Sequence, residues 1–185
     1  LLIERYETIP DSGGAGLHRG GNGLSVAYRF LADGEIGIHD ERWLTYPWGV
    51  LGGETGLRST KRLVTTDGQE QWLPAKVEGI KVKEGDVLYF NTWGGGGWGD
   101  PYARDPELVR TDVARGLVTP DGARRYGVII ADNYSVDAAA TASLRAALVA
   151  ERDDIPLFNR GGTIEELRSR CEAETHLSAP VSPTF

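Results

Sequence analysis

The sequence predicts an α+β fold: a glycine-rich antiparallel β unit followed by a helical C-terminal region. Three observations predict it. Before about residue 103, short β-branched and aromatic runs alternate with turn dipeptides; after it, capped segments with helical periodicity take over. Glycine supplies 25 of the 185 residues, roughly twice the ordinary usage of about 7%, so the β part is rich in loops. Hydrophobic residues make up 40%, and a chain of this length buries a real core without staples. The expected division is a β-rich glycine-loop region over 1–103, a mainly helical region with one short strand over 104–176, and an extended tail over 177–185.

The elements follow in order. Over residues 24–92 the runs "GLSVAYRFL", "IGIHDERWL", "PWGVLGG", "KRLVTT", "EQWLP" and "GIKVKEGDVLYF" predict an antiparallel unit of about five to seven strands. "ADGE" and "TDGQ" read as tight hairpin turns, because Asp-Gly tolerates positive φ. In "RDPELVRTDVARGLVTP", Asp105 is placed to cap a helix with Pro106 at its first position and Gly116 at its stop. Its apolar stripe is Leu108, Val109, Val113 and Leu117. Thr119 and Pro120 repeat a start signal before "PDGARRY", and the apolar run "YGVIIA" predicts a buried strand. "VDAAATASLRAALVAERDD" and "TIEELRSRCEAE" predict two further helices, the second opened by a capping box of Thr163 and Glu166. The tail has two prolines and no periodicity.

Composition excludes several classes. A net charge of −7 and a pI near 5.0 provide no basic field for nucleic acid or an anionic membrane. The one cysteine, Cys171, permits no intramolecular disulfide and no thiolate zinc cage, which points to a cytoplasmic protein. Apolar runs such as "GVII" fall far short of the ~20 residues that span a bilayer. Methionine is absent and the chain opens on Leu1, so it reads as a piece of a longer polypeptide.

Few residues form a chemical constellation. "GGGGWG" at 94–99 matches G-x-G-x-x-G formally, but Asp100-Pro101 separates it from the next helix, whose N-terminus a pyrophosphate would need. It is expected instead to form a tight turn packed by Trp93 and Trp98. "GLRST" at 56–60 has Arg58 where a phosphate loop needs lysine. In "IHDERW", His39 and Glu41 share a strand face with Asp40 opposite; the alternatives are two metal ligands or a solvated polar face with an Asp–Arg pair. The stretch "PDSGGAGLHRGGNG", residues 10–23, is glycine at six of fourteen positions. Its glycines either let backbones approach closely or, with Ser12, His18 and Arg19, form an anion-binding nest. Gly13, Gly14, Gly20 and Gly21 are expected to include positive-φ or closely packed positions. Arg19 is expected to pair with a carboxylate, Asp11 being the nearest, or to face an anion.

Taken together, "PDSGGAGLHRGGNG", "DERWLTYPWGVLGGETG", "GGGGWGDPYARDPELVRTDVARGLVT" and "YGVII" resemble the carboxy-terminal part of the hydantoinase B family, over about residues 3–149. The resemblance implies a B-type subunit of an ATP-dependent cyclic amide hydrolase acting on a hydantoin, 5-oxoproline or lactam. It further implies an A-type partner subunit holding ATP and magnesium, and a divalent metal in the amino-terminal remainder of the B-type subunit. No metal ligand carries over onto this chain. The candidate catalytic residues are Arg19, His18, Asp11 and Ser12. A subunit of an ATP-dependent ketone carboxylase and a non-catalytic assembly module are the alternatives.

Overall fold

The computed structural model describes residues 1–152 and 154–181. The fold is α+β. Eight strands come first: β1 (Leu2–Thr8), β2 (Leu24–Arg29), β3 (Gly34–His39), β4 (Gly49–Val50), β5 (Thr60–Val64), β6 (Glu70–Trp72), β7 (Lys76–Val82) and β8 (Val87–Asn91). Then come α1 (Pro106–Ala114), a 3-10 turn over Gly122–Tyr126, α2 (Ala138–Glu151), β9 (Phe158–Asn159) and α3 (Ile164–Thr175).

Five strands form an antiparallel sheet in the order β1-β2-β8-β5-β6, and β3 pairs with β7 in a separate hairpin-like ladder. Phe30, Ile38, Leu63, Leu73, Val82 and Leu88 are buried between the two, as alternation along each strand requires. A second core joins Ala15 of the first glycine loop to Val109, Val113, Val118, Ala123, Tyr126 and Val128.

Local signals mostly hold. "TDGQ" is the β5–β6 turn, with Gly68 at φ 84° and Thr65 N donating to Gln69 O at 3.0 Å. Asp105 caps α1 through Glu107 N, and Thr163 and Glu166 form the capping box of α3. Along α1, Val109 and Val113 are buried whereas Leu108 is exposed.

Three expectations fail. "ADGE" is not a hairpin turn: β2 is already flanked by β1 and β8, so the chain crosses there to the second ladder, and Asp33 accepts from Glu84 N. "YGVIIA" forms no strand; Tyr126 closes the 3-10 turn and Ile130 makes a single bridge to Val136, so the apolar run is buried by the helical core instead of a ladder. Residues 94–99 are not a tight turn but an extended segment, and Trp93 and Trp98 lie 40% and 45% exposed. Of the expected helix over 136–154, α2 covers 138–151, and residue 153 lies outside the described residues; of the expected tail, residues 182–185 do.

Candidate functional site

The central feature is a bundle of three glycine-rich segments, residues 11–23, 47–57 and 94–99. Each hydrogen-bonds both others. Gly14 N donates to Gly95 O (2.8 Å), Gly95 N to Gly21 O (2.7 Å), Gly97 N to Glu54 O (2.8 Å), Glu54 N to Ala15 O (2.7 Å) and Val50 N to Gly97 O (3.0 Å). Side chains have no room between them. A Cβ at Gly13, Gly14, Gly20, Gly53, Gly94, Gly96 or Gly97 would stand closer than 3.0 Å to a backbone oxygen of the bundle. None of these glycines has φ in the left-handed region, so close approach, not backbone handedness, demands them. Gly21 differs: nothing lies within 4 Å of its Cβ position.

This geometry already occupies much of the expected anion nest. The amides of Gly13, Gly14, Leu17, His18 and Gly20 donate to Asn22 Oδ1 or to backbone carbonyls. At 94–99 the amides of Gly94, Gly95, Gly97, Trp98 and Gly99 likewise donate to protein carbonyls and are not available to a phosphate.

The four site residues are placed as follows. Ser12 is 1% exposed; its hydroxyl donates to Ile9 O at 2.6 Å and accepts from Gly23 N at 2.9 Å. His18 is exposed and packs against Trp98, ring centroids 5.4 Å apart and the rings tilted by 43°. Asp11, at φ 62°, accepts from Thr119 N (3.0 Å) and Thr119 Oγ1 (2.6 Å). It is not the partner of Arg19. Arg19 instead donates to Gly20 O (2.6 Å) and Asn22 Oδ1 (3.0 Å) and pairs with Asp112 of α1, Nε to Oδ2 3.4 Å. Asp11 is already committed to Thr119, which frees α1 to supply the counter-charge. The structure therefore brings Arg19 together with Asp112 and Asn22, and leaves His18 on the surface.

Residues that the sequence did not single out complete the network. Arg104 Nη2 donates to the same Asp112 oxygen at 2.9 Å, and its Nη1 to Leu17 O at 2.8 Å. Arg125 donates to Glu54 (2.7 Å) and to Asp11 O (2.9 Å). The Tyr126 hydroxyl and the Nε atoms of Arg19 and Arg104 are buried without hydrogen-bond partners among the described residues. Burial pushes the Tyr126 phenol up to about 12. The only available signal was a run of arginines in the helical region, which carries no address for its partners.

Elsewhere, His39 pairs with Glu78 of β7 on the surface and not with Glu41, whose partner is Lys76. Asp40 is buried against Lys61 and Ser59, in place of the Asp–Arg pair. Burial lowers the Lys61 ammonium, against the opposing pull of Asp40. Cys171 is buried and its thiol is pushed up by that burial, so it is a packing residue. Among the described residues no three His, Cys, Asp or Glu side chains converge on a metal-sized site. No helix among them is long and apolar enough to cross a membrane.

Residues 1–101, which carry all three glycine segments, match the Hydantoinase B/oxoprolinase family. The chain belongs to that family. Among curated family members it is 38% identical over 154 residues to the beta chain of caprolactamase from Pseudomonas jessenii, covering 80% of this chain and 26% of that protein. It is 31% identical over 147 residues to the B-type subunit of a putative D-/L-hydantoinase from Pseudomonas sp. (strain NS671), covering 78% and 25%. The chain thus spans about a quarter of the length of these relatives. The crystal structure of the ATP-dependent caprolactamase from Pseudomonas jessenii superimposes with a TM-score of 0.65 at 35% identity, covering 78% of this chain and 26% of that one. The nucleotide-free acetone carboxylase structure gives a TM-score of 0.67 at 21% identity over 94% of this chain and 27% of its own. That second likeness shows a shared fold alone.

Proposed function

We propose that this chain is the carboxy-terminal part of the B-type subunit of an ATP-dependent cyclic amide hydrolase of the cytoplasm. The observation that carries the reading is 38% identity to the beta chain of a caprolactamase over 80% of the chain. An amide is a poor electrophile, and phosphorylation of its oxygen activates the ring carbon so that water adds at neutral pH; the ring C–N bond then breaks with the nitrogen leaving protonated, and the acyl phosphate so formed is hydrolysed by a second water to the open-chain acid and inorganic phosphate. ATP and magnesium belong to an A-type partner subunit in this proposal, and the divalent metal to the rest of the B-type subunit. The ring to be opened is a lactam, a hydantoin or 5-oxoproline.

This chain's contribution is positional. The bundle is a close-packed scaffold of backbones that carries His18 and Trp98 outward on one paired face, and the Arg19–Asp112–Arg104 cluster fixes the loop on which His18 sits. Ser12 and Asp11 hold the loop's ends and Arg19 its middle, so the proposal gives these three structural duties, with His18 the residue free to meet another chain or a substrate. The test is an assay of the assembled two-subunit enzyme with ATP and a panel of lactams, hydantoins and 5-oxoproline. ATP-dependent release of a ring-opened product is expected. Bicarbonate-dependent carboxylation of a ketone with no ring opening would reject the hydrolase reading in favour of the carboxylase.

A further inference from the structure

Four backbone segments lie side by side at the glycine bundle, and their pairing fixes which side chains share a face. His18 bridges Trp98, Trp98 bridges Val50, and Val50 pairs with Phe158 of β9. The pairing is closed by His18 N to Trp98 O (2.9 Å), Trp98 N to His18 O (3.0 Å), Gly99 N to Val50 O (2.8 Å) and Leu51 N to Leu157 O (2.9 Å). Residues paired in this way put their side chains on the same side of a sheet, so these four stand in one row. Trp48, two residues before Val50, extends it, with its ring edge-on to Phe158 and centroids 6.0 Å apart. Continuing the β4–β9 register sets Arg160 opposite Trp48, and Arg160 Cζ lies 4.8 Å from the Trp48 ring centroid.

The row is open to solvent. Trp98, Phe158 and Trp48 are 45%, 49% and 40% exposed, and His18 is exposed. Three aromatic side chains of about 150–250 Å2 each, exposed by nearly half, leave roughly 300 Å2 of apolar surface. That is the size of the largest patch on an ordinary soluble protein, which is often functional. Four segments about 4.8 Å apart span roughly 14 Å, more than one small cyclic amide covers. The row ends in charge: Arg42 Cζ is 5.8 Å from the Trp48 centroid, so two guanidiniums attend one ring. Neither Arg42 nor Arg160 pairs with a carboxylate among the described residues, although the chain carries a net charge of −7. Glu41, next to Arg42, is engaged by Lys76 at 3.1 Å. Tryptophan and arginine dominate the energetics of protein interfaces, and a face already fixed by backbone bonds loses little entropy when it is covered.

We propose that this row is the docking face for an apolar, carboxylate-bearing segment of the amino-terminal remainder of the same B-type subunit. The aromatic row buries the segment's apolar side chains, and Arg42 and Arg160 receive its carboxylate. The match to the caprolactamase structure covers 26% of that chain, so about three quarters of it lies elsewhere. A subunit of that length has ample polypeptide to cover the row, held at high effective concentration by covalent linkage. The proposal rests on the reading that this chain is one part of a B-type subunit, and not on which reaction that subunit performs.

The test uses the full-length B-type subunit, purified with and without its A-type partner and carrying photo-reactive benzoylphenylalanine in place of Phe158 or of His18. Irradiation, digestion and mass spectrometry identify the cross-linked peptide, and circular dichroism checks the folding of each preparation. Both positions are expected to cross-link within the same polypeptide, to an Asp- or Glu-containing segment outside residues 1–185, whether or not the A-type subunit is present. Arg160→Glu is expected to cut the yield at position 158 about tenfold, because like charges juxtaposed across a docked face are strongly disfavoured. Arg160→Lys is expected to keep most of it. Ring opening does not enter this readout, so the docking face and the assignment of the reaction fail separately. Cross-links only to the A-type subunit, cross-links between two copies of the B-type subunit, no cross-link from either position, or an undiminished yield in Arg160→Glu would each overturn the proposal.

Discussion

At the scale of single residues, the bundle makes a sharp distinction between glycines that look alike in the sequence. At Gly96 a Cβ would be driven into Trp48 O, backbone that cannot swing aside, whereas at Gly21 it would meet open space at an ordinary φ. Gly96→Ala is therefore expected to cost about 3 kcal/mol or more through forced backbone shifts. Gly21→Ala is expected to gain about 0.5 kcal/mol by restricting the unfolded chain. Urea unfolding midpoints of the two variants check this, and equal midpoints would contradict the packing argument. Tyr126 supplies a pH prediction. Its phenol ionises near 12 in the folded chain, raised by burial, against about 10 when unfolded. Between those values the unfolded state has lost the proton and the folded state keeps it, so stability is intact below pH 10 and falls as pH rises toward 12. The fall attributable to this residue is on the order of 2 kcal/mol. Tyr126→Phe should remove that share of the alkaline loss and be near neutral at pH 7, because the hydroxyl it deletes is buried without a partner among the described residues. An unchanged pH profile from chemical unfolding of Tyr126→Phe would refute it.

At the scale of elements, α2 is the most self-reliant piece. Of its residues only Thr141 is buried, so it stands on alanine propensity and on its cap, Asp137, whose carboxylate accepts from Ala140 N at 2.9 Å. Asp137→Ala is expected to cost about 1 kcal/mol, read as faster amide exchange in the first turn of α2 with no change in the β2–β8 ladder. What was legible in the sequence follows the range of each interaction. Caps at Asp105 and Thr163 and the Asp67-Gly68 turn involve residues a few positions apart, so the local pattern contains the whole interaction. Strand β1 was missed because Leu2, Ile3 and Tyr6 do not alternate, and all seven of its residues are exposed. Asp33-Gly34 misled because a turn signal says where the chain bends but not which strand it bends toward. The same limit applied to the site: glycine spacing announced close backbone approach at residues 10–23, but the partner of Arg19 lies on α1, far along the chain.

At the scale of the whole molecule, the helical part and the glycine bundle are fastened by charge rather than by a broad apolar face. Arg125 reaches Glu54 at 2.7 Å and the carbonyls of Asp11 (2.9 Å) and Gly13 (3.3 Å), so one side chain holds two glycine segments. Arg145 on α2 donates to Tyr126 O at 3.2 Å and Arg104 O at 2.6 Å. Asp112 on α1 sits between Arg19 and Arg104 and is 7% exposed. Ala15 of the first loop, fully buried among Val109, Val113 and Val128, adds an apolar pin.

Because the ties made by Arg125, Asp112 and Ala15 cross the change from strands to helices near residue 103, the two regions are expected to unfold together. Far-UV circular dichroism, which follows the helices, and the fluorescence of a Trp43→Phe/Trp72→Phe variant, which leaves the tryptophans in and beside the bundle, should report one coincident denaturant transition. Asp112→Asn preserves shape but leaves two largely buried guanidiniums facing one another without a carboxylate. Removing one member of a buried charged set costs about 3 kcal/mol or more, and here the loss falls on the joint itself. The variant should therefore unfold earlier by fluorescence than by circular dichroism, since the loop carrying Arg19 detaches before α1 melts. Arg19→Lys keeps one charge and loses only the fork, so it should shift both probes less and keep them together. If Asp112→Asn moved both transitions equally by less than about 0.5 kcal/mol, the range of an ordinary surface substitution, the charged joint would have no part in holding the helices to the bundle, and the apolar pin at Ala15 would have to carry the attachment alone.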